Sequence, residues 1–432
     1  MRYLSLPNNI HIERQDGKVL LFNPDIPSWL VTNDIGEQIL SLFNGKVTEE
    51  EVINVLCELH GEMFRDKLVE FIEKSKLSGI FDRPKESEIP IKSTNYRLSA
   101  VQLSISSQCN LNCRYCYATD RIEHGQKRMA ISDYKTLLDD IRSVSTDVRI
   151  TLTGGEPLLN KNCFEIAKYA RKNGFYVDML TNGTLISESN INQIKEFFNE
   201  VRISVDGSTQ DLHEFFRGRN SYNPMINAID LLSRNGVNYS LSMTVNKHNI
   251  HDVEQMAKKY GGYLNFAPLF PAGNAIQGED ISITGKEYFR ALKRSAGVNP
   301  LSYCESSLDH AKQCRNCKCS IGDSELSVSA TGDVYPCHLL HYPDFLMGNI
   351  FEKSIVELYN ESPIVDFCRS LTVDNIEGCK TCFLKYVCGG ACRARAFHEC
   401  RNVKTSGNFC EYEKAAYVDG IFNLYKENIL SK

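Results

Sequence analysis

The chain has 432 residues, 42% of them hydrophobic and 24% charged, with a formal net charge of -5. That length supports two or three separate cores, and the slight acidic excess excludes the basic surplus that nucleic-acid or general polyanion binding demands. The first residues, MRYLSLPNNI, show no charged stretch leading into an apolar one, and no run approaches about 18 apolar residues. Neither an export signal nor a membrane span is expected, and the cytoplasm is the simplest location.

The elements divide into three stretches, expected at 1–85, 98–295 and 300–432. In the first, HIERQDGKVLLF (11–22) is two strand-like runs around Asp16-Gly17, a hairpin dipeptide. Asn33 is placed to cap a helix over 35–43, Thr48 opens another with Glu51 at capping-box spacing, and a third is expected over about 62–77. Hairpin plus three helices is a winged-helix-like α+β pattern, equally compatible with an ordinary accessory domain. A DNA-reading helix would be basic, whereas Glu49, Glu50, Glu51 and Glu58 make this one acidic. Residues 84–97 are polar, carry two prolines and suit a linker.

From Leu98 strand-like runs at 99–105, 148–153, 176–180, 201–205, 239–245 and 263–267 alternate with helical periodicity such as 131–144, 163–173 and 223–235. Six β/α units predict an α/β fold with a parallel sheet, open or partly closed into a barrel, and an active site at the C-terminal strand ends. Beyond about residue 300 the alternation stops. Cysteines take over in a region with little aliphatic core of its own, which predicts dependence on metal for folding.

The chain has 17 cysteines, and in a cytosolic protein such a number points to metal rather than disulfides. Cys109, Cys113 and Cys116 follow the first strand of the β/α array. Three thiolates within eight residues converge on one centre only from a loop; a cubane iron–sulfur cluster takes one per iron, leaving one iron open for an amino and carboxylate chelator. An incomplete zinc site is the alternative. A second group comprises Cys314, Cys317, Cys319, Cys337, Cys379, Cys382, Cys388, Cys392 and Cys410, in which the CxxC pairs would also suit zinc ribbons. Cys57, Cys163, Cys304, Cys368 and Cys400 fit no pattern and read as incidental thiols.

On these residues the chain resembles the radical SAM superfamily over about 98–275. The cluster loop is CxxxCxxC with an aromatic, Tyr115, before the last cysteine. Gly154-Gly155-Glu156-Pro157 matches the GGE element that in relatives holds the methionyl amino group of S-adenosylmethionine; glycines permit close backbone approach and a carboxylate suits an ammonium. Asn182, Ser204 and Asp206 stand where relatives contact the ribose and methionyl parts, and Arg217 aligns with an arginine for the cofactor carboxylate. Asn182 and Asp206 could equally be turn formers, and Arg217 a solvent-facing side chain.

The C-terminal cysteines resemble the SPASM extension of that superfamily. The resemblance implies two auxiliary [4Fe-4S] clusters beside the first, three in all: an outer one on Cys379, Cys382, Cys388 and Cys410, and an inner one on Cys319, Cys337 and Cys392. Cys314 or Cys317 would be the fourth inner ligand, with Cys314 favoured by spacing. Relatives with this extension mostly modify peptides, and one group begins with a winged-helix-like domain that captures a leader segment by strand addition. The resemblance thus implies a maturase of ribosomally made precursor peptides, supplied with electrons by a flavodoxin- or ferredoxin-type reductant, forming a Cys thioether. Alternatives are a carbon–carbon crosslink, a formylglycine maturase, or a non-catalytic metal-bound peptide scaffold. Formylglycine maturases carry an aspartate base where this chain has His338; His338 or nearby His341 is the candidate proton acceptor here, and either could equally be a plain polar residue near a cluster.

Overall fold

A computed structural model describes residues 3–81, 97–119, 127–145, 147–277, 281–295, 308 and 315–424. The expected linker lies almost wholly outside these, as do Cys304 and Cys314.

Asp16 and Gly17 both take positive φ (52° and 76°), the left-handed pair that turns a tight hairpin. It joins β2 (His11–Gln15) to β3 (Lys18–Asn23), and β4 (Ser28–Thr32) pairs antiparallel on the far side of β3. β1 (Tyr3–Ser5) pairs with β5 (Asn44–Thr48). Asn33 caps the helix Asp34–Ser41 through Gly36 N–H, Thr48 and Glu51 form the capping box of Glu49–His60, and Arg65–Ser78 completes the set. Sequence periodicity gave no signal for β1, β4 or β5, which are short.

β3 is buried on both faces for a physical reason. Val19 and Leu21 meet this segment's own helices through Ile39, Phe71 and Ile72, while Leu20 and Phe22 join the core of the rest of the chain. Phe22 meets Phe383 edge-on at 5.5 Å, and His11 stacks on the same ring at 3.6 Å. The N-terminal sheet therefore rests directly on the cysteine-rich region beside Cys382.

The parallel array is β6 (Ala100–Ser106), β7 (Arg149–Gly154), β8 (Tyr176–Thr181), β9 (Glu200–Ser204), β10 (Tyr239–Val245) and β11 (Leu264–Pro268), hydrogen-bonded in sequence order. Its strands bury aliphatic side chains at alternate positions, such as Val101, Leu103 and Ile105 on one face of β6. Helices Ile131–Val144, Cys163–Lys172 and Tyr222–Arg234 follow the expected periodicity.

The cysteine-rich region departs from expectation. β12 (Glu325–Val328) adds parallel to β6, and β13 (Asp333–Tyr335) and β14 (Gly348–Asn349) extend the same sheet antiparallel. Leu326, Val328, Val334, Ile355 and Leu358 enter the barrel's core, so this region draws on a shared core as well as on metal. Its strands are too short for their period to be read from sequence. Among the described residues no helix is long and apolar enough to cross a membrane.

Candidate active site and cluster-binding loops

The loop after β6 carries Cys109, Cys113 and Cys116, and three anchors at the ends of the neighbouring strands hold it in place. Gly155 N–H donates to Ser106 O at 2.6 Å and Glu156 N–H to Gln108 O at 2.8 Å. A Cβ on Gly154 would stand 2.2 Å from Ser106 O, and one on Gly155 2.2 Å from Gln108 O. The two glycines thus serve close packing against the chain leading into Cys109, rather than only the approach of a ligand. Glu156 is fully buried; it accepts from Thr181 Oγ1 at 2.8 Å and from Asn182 N–H at 2.9 Å, and burial raises its pKa. Asn182 Nδ2 donates to Asn110 Oδ1 at 2.9 Å and lies 3.9 Å from Cys109 Sγ.

A second anchor is buried behind the loop. The Tyr115 hydroxyl donates to Asp206 Oδ2, Arg217 Nε pairs with the same oxygen, and Arg217 Nη2 donates to the Tyr115 hydroxyl at 2.8 Å. Asp206 Oδ1 accepts from Thr244 N–H of β10 at 2.9 Å. Burial opposes the charge on Arg217, but Asp206 holds it protonated. Asp206 and Arg217 are therefore more than a turn former and a surface cation: they link the cluster loop to β9 and β10. Ser204 ends β9 half-buried, opposite Ser242.

Sequence reasoning missed a third anchor. After β11, Asn274 N–H donates to Cys116 O at 3.0 Å, and its Nδ2 to Cys113 O at 2.9 Å. Gly273, with φ 59°, would place a Cβ 2.3 Å from Cys116 O. Its one signal was a Gly-Asn pair just past the last predicted strand.

Burial is the main cause raising Cys113 to about 11. Thiols so held become thiolates only when an electropositive centre compensates them, and a loop presenting three of them with backbone fixed on every side fits an iron–sulfur cluster. The same holds further on. Cys379, Cys382, Cys388 and Cys410 line one small cavity. Cys319, Cys337 and Cys392 share one apolar cluster, where burial raises Cys337 and Cys392, helped by the Glu325 carboxylate at Cys337 and by Cys319 at Cys392. No disulfide joins any described cysteine. Cys317 Sγ approaches the Arg315 carbonyl at 3.7 Å. Cys368, read as incidental, is buried in the same cluster as Cys319.

His338 stands between the two regions. Its Nδ1 lies 2.9 Å from Gln102 Nε2 of β6 and 3.1 Å from Glu325 Oε1 of β12, and its ring meets Tyr117 of the cluster loop edge-on at 6.2 Å. His341 is buried, 2.8 Å from Ser327 Oγ.

His213 supports the buried anchor, its Nδ1 facing Asp206 N–H at 3.3 Å, and burial lowers its pKa to about 4. Since the folded value lies below the unfolded one, the unfolded chain binds the proton first as pH falls, and stability is lost from about 6.5 toward 4. We expect about 1 kcal/mol to disappear between pH 6.5 and 5.5, a loss that His213→Gln removes; denaturant midpoints of both proteins at the two pH values check it.

The radical SAM superfamily profile matches residues 103–260, and that of the SPASM iron-sulfur cluster-binding domain residues 319–383. The chain is a radical SAM enzyme with a SPASM extension. Like that family it uses S-adenosylmethionine and [4Fe-4S] clusters, three being typical. The AdoMet-dependent heme synthase of Methanosarcina barkeri is 26% identical over 71% of this chain and 95% of its own length. The subtilosin biosynthesis protein AlbA of Bacillus subtilis is 24% identical over 92% of this chain and 91% of its own. The radical SAM fold here also resembles Streptococcus suis SuiB bound to its precursor peptide SuiA, with TM-score 0.57 at 13% identity, covering 94% of this chain and all of that one.

Proposed function

We propose that this radical SAM/SPASM enzyme crosslinks a ribosomally made precursor peptide, joining a cysteine sulfur to a carbon as a thioether. The observation that carries this reading is extent. The match to AlbA spans 92% of the chain, which necessarily includes most of the N-terminal α+β segment, whereas the match to the heme synthase spans 71%. An enzyme acting on a small molecule has no need of a segment with open strand edges packed beside an auxiliary cluster site. β2 and β4 are the outer strands of the three-stranded sheet, and strand addition there would capture a leader.

When bound, the clusters and cofactor supply a 5'-deoxyadenosyl radical that takes a hydrogen atom from the substrate. Cys109, Cys113 and Cys116 hold the first cluster. Glu156, Asn182, Ser204 and Arg217, with the backbone at Gly154 and Gly155, line the cofactor's methionyl and ribose side, and Tyr115 and Asp206 fix Arg217. Cys379, Cys382, Cys388 and Cys410 hold the outer cluster, and Cys319, Cys337 and Cys392 the inner one with Cys314 or Cys317. His338, oriented by Gln102 and Glu325, accepts the thiol proton. Thioether formation removes two hydrogens in all: one would leave as an atom to the radical the bound cofactor supplies, and the thiol's would leave as a proton to His338, with its electron accepted by an auxiliary cluster where one is bound. A flavodoxin- or ferredoxin-type protein supplies the reducing electron.

The test is mass spectrometry of cysteine-bearing precursor peptides incubated anaerobically with enzyme, reductant and cofactor. Loss of two hydrogens together with resistance to thiol alkylation is expected. An aldehyde at the former cysteine would instead mark a formylglycine maturase, and unchanged peptide with a converted porphyrin a heme-pathway enzyme.

A further inference from the structure

Between the two auxiliary cysteine sets lies a cavity of about 330 Å³ whose wall includes Cys392 of the inner set, Cys410 of the outer, and the pair Arg395 and Glu399. Both side chains are largely buried, at 12% and 11% exposure, and they pair at 3.4 Å. Arg395 reaches three places. Its backbone N–H donates to Cys392 Sγ at 3.4 Å, capping the helix Arg393–Cys400 with a cluster-binding sulfur. Its Nη2 donates to Pro268 O at 3.1 Å and Leu269 O at 2.9 Å, at the end of β11. Its guanidinium lies over Phe409 at 4.4 Å and Phe270 at 5.3 Å.

Glu399 completes the bridge. Its Oε2 accepts from Asn408 N–H at 2.6 Å and Phe409 N–H at 3.2 Å, the residues running into Cys410. One buried ion pair therefore touches the inner cysteine set, the turn bearing an outer cysteine, and the last strand of the barrel. A buried charge with fixed hydrogen bonds beside an iron–sulfur cluster shifts its potential, because reduction adds negative charge in a low dielectric.

We propose that Arg395 and Glu399 are positioning residues that lock both auxiliary clusters to the C-terminal end of β11 and set their reduction potentials with opposite signs. The proposal rests on the reading of these cysteines as cluster ligands. It would be tested by EPR-monitored reductive titration of the reconstituted full-length wild type, R395Q, R395K and E399Q, with iron content measured on each. Losing the cation should lower the auxiliary potentials and losing the carboxylate should raise them, with R395K near wild type and the first cluster unmoved in all. A loosened fold would move both variants the same way, so opposite shifts support the proposal and parallel or absent shifts overturn it. If R395Q fails to hold iron, E399Q decides alone: its amide oxygen can still accept from Asn408 and Phe409, so a positive shift is expected and none would refute the idea. A wild type without auxiliary signals would overturn the ligand reading and this proposal together.

Discussion

Asp206→Ala is expected to cost about 3–5 kcal/mol of stability and to empty the first cluster site. The carboxylate is fully buried and Arg217 nearly so, with side-chain exposures of 0% and 9%. Removing one partner of such a pair leaves the other charge without compensation in a low dielectric. Tyr115, between Cys113 and Cys116, loses its acceptor in the same step, and Thr244 N–H of β10 is left unpaired. The double variant Asp206→Ala/Arg217→Met should regain much of the stability and some iron, because the orphaned cation is gone. If Arg217 also serves the cofactor carboxylate, the double variant stays unable to bind S-adenosylmethionine; recovery of cofactor cleavage would assign both residues to structure alone. Chemical denaturation, iron content and 5'-deoxyadenosine formation on the three proteins separate these outcomes.

Gly155→Ala should be nearly as damaging through a different cause. The new Cβ would meet Gln108 O at 2.2 Å and Gln108 C at 2.6 Å, main-chain atoms that cannot rotate away. Either β7 or the chain entering Cys109 must shift, and the Glu156 N–H to Gln108 O bond breaks. Overpacking of this kind costs about 1–3 kcal/mol, which the large shared core can absorb, so the protein should fold while the loop does not close. Iron should fall from about twelve to about eight per chain, with auxiliary signals retained and 5'-deoxyadenosine production abolished. Full iron content in the variant would show that the loop tolerates the displacement.

The parts of this site visible in sequence are those set by local spacing. Thiolates on one loop converge because eight residues cannot place them elsewhere, and the Asp16-Gly17 turn and the Thr48 cap depend on residues within a few positions. The β/α alternation was legible because each strand repeats a pattern long enough to count. What escaped depends on partners distant in the chain. Asn274 binds the carbonyl of Cys113, 161 positions away, and no short-range pattern encodes that. β12 to β14 are four residues or fewer and exist as strands because β6 offers a free edge. The Glu156 carboxylate accepts from Thr181, Asn182 and Leu158, two of them distant in the chain. Its fixed position follows from the end of β8 as well as from its own turn at Leu158.

The most direct measurement is iron, sulfide and EPR analysis of anaerobically reconstituted protein beside a Cys109, Cys113 and Cys116 triple alanine variant. The account predicts about twelve irons falling to about eight, with two auxiliary signals preserved and 5'-deoxyadenosine formation lost. Stoichiometric zinc without visible absorbance, or an equal loss of all iron with cofactor cleavage intact, would contradict it.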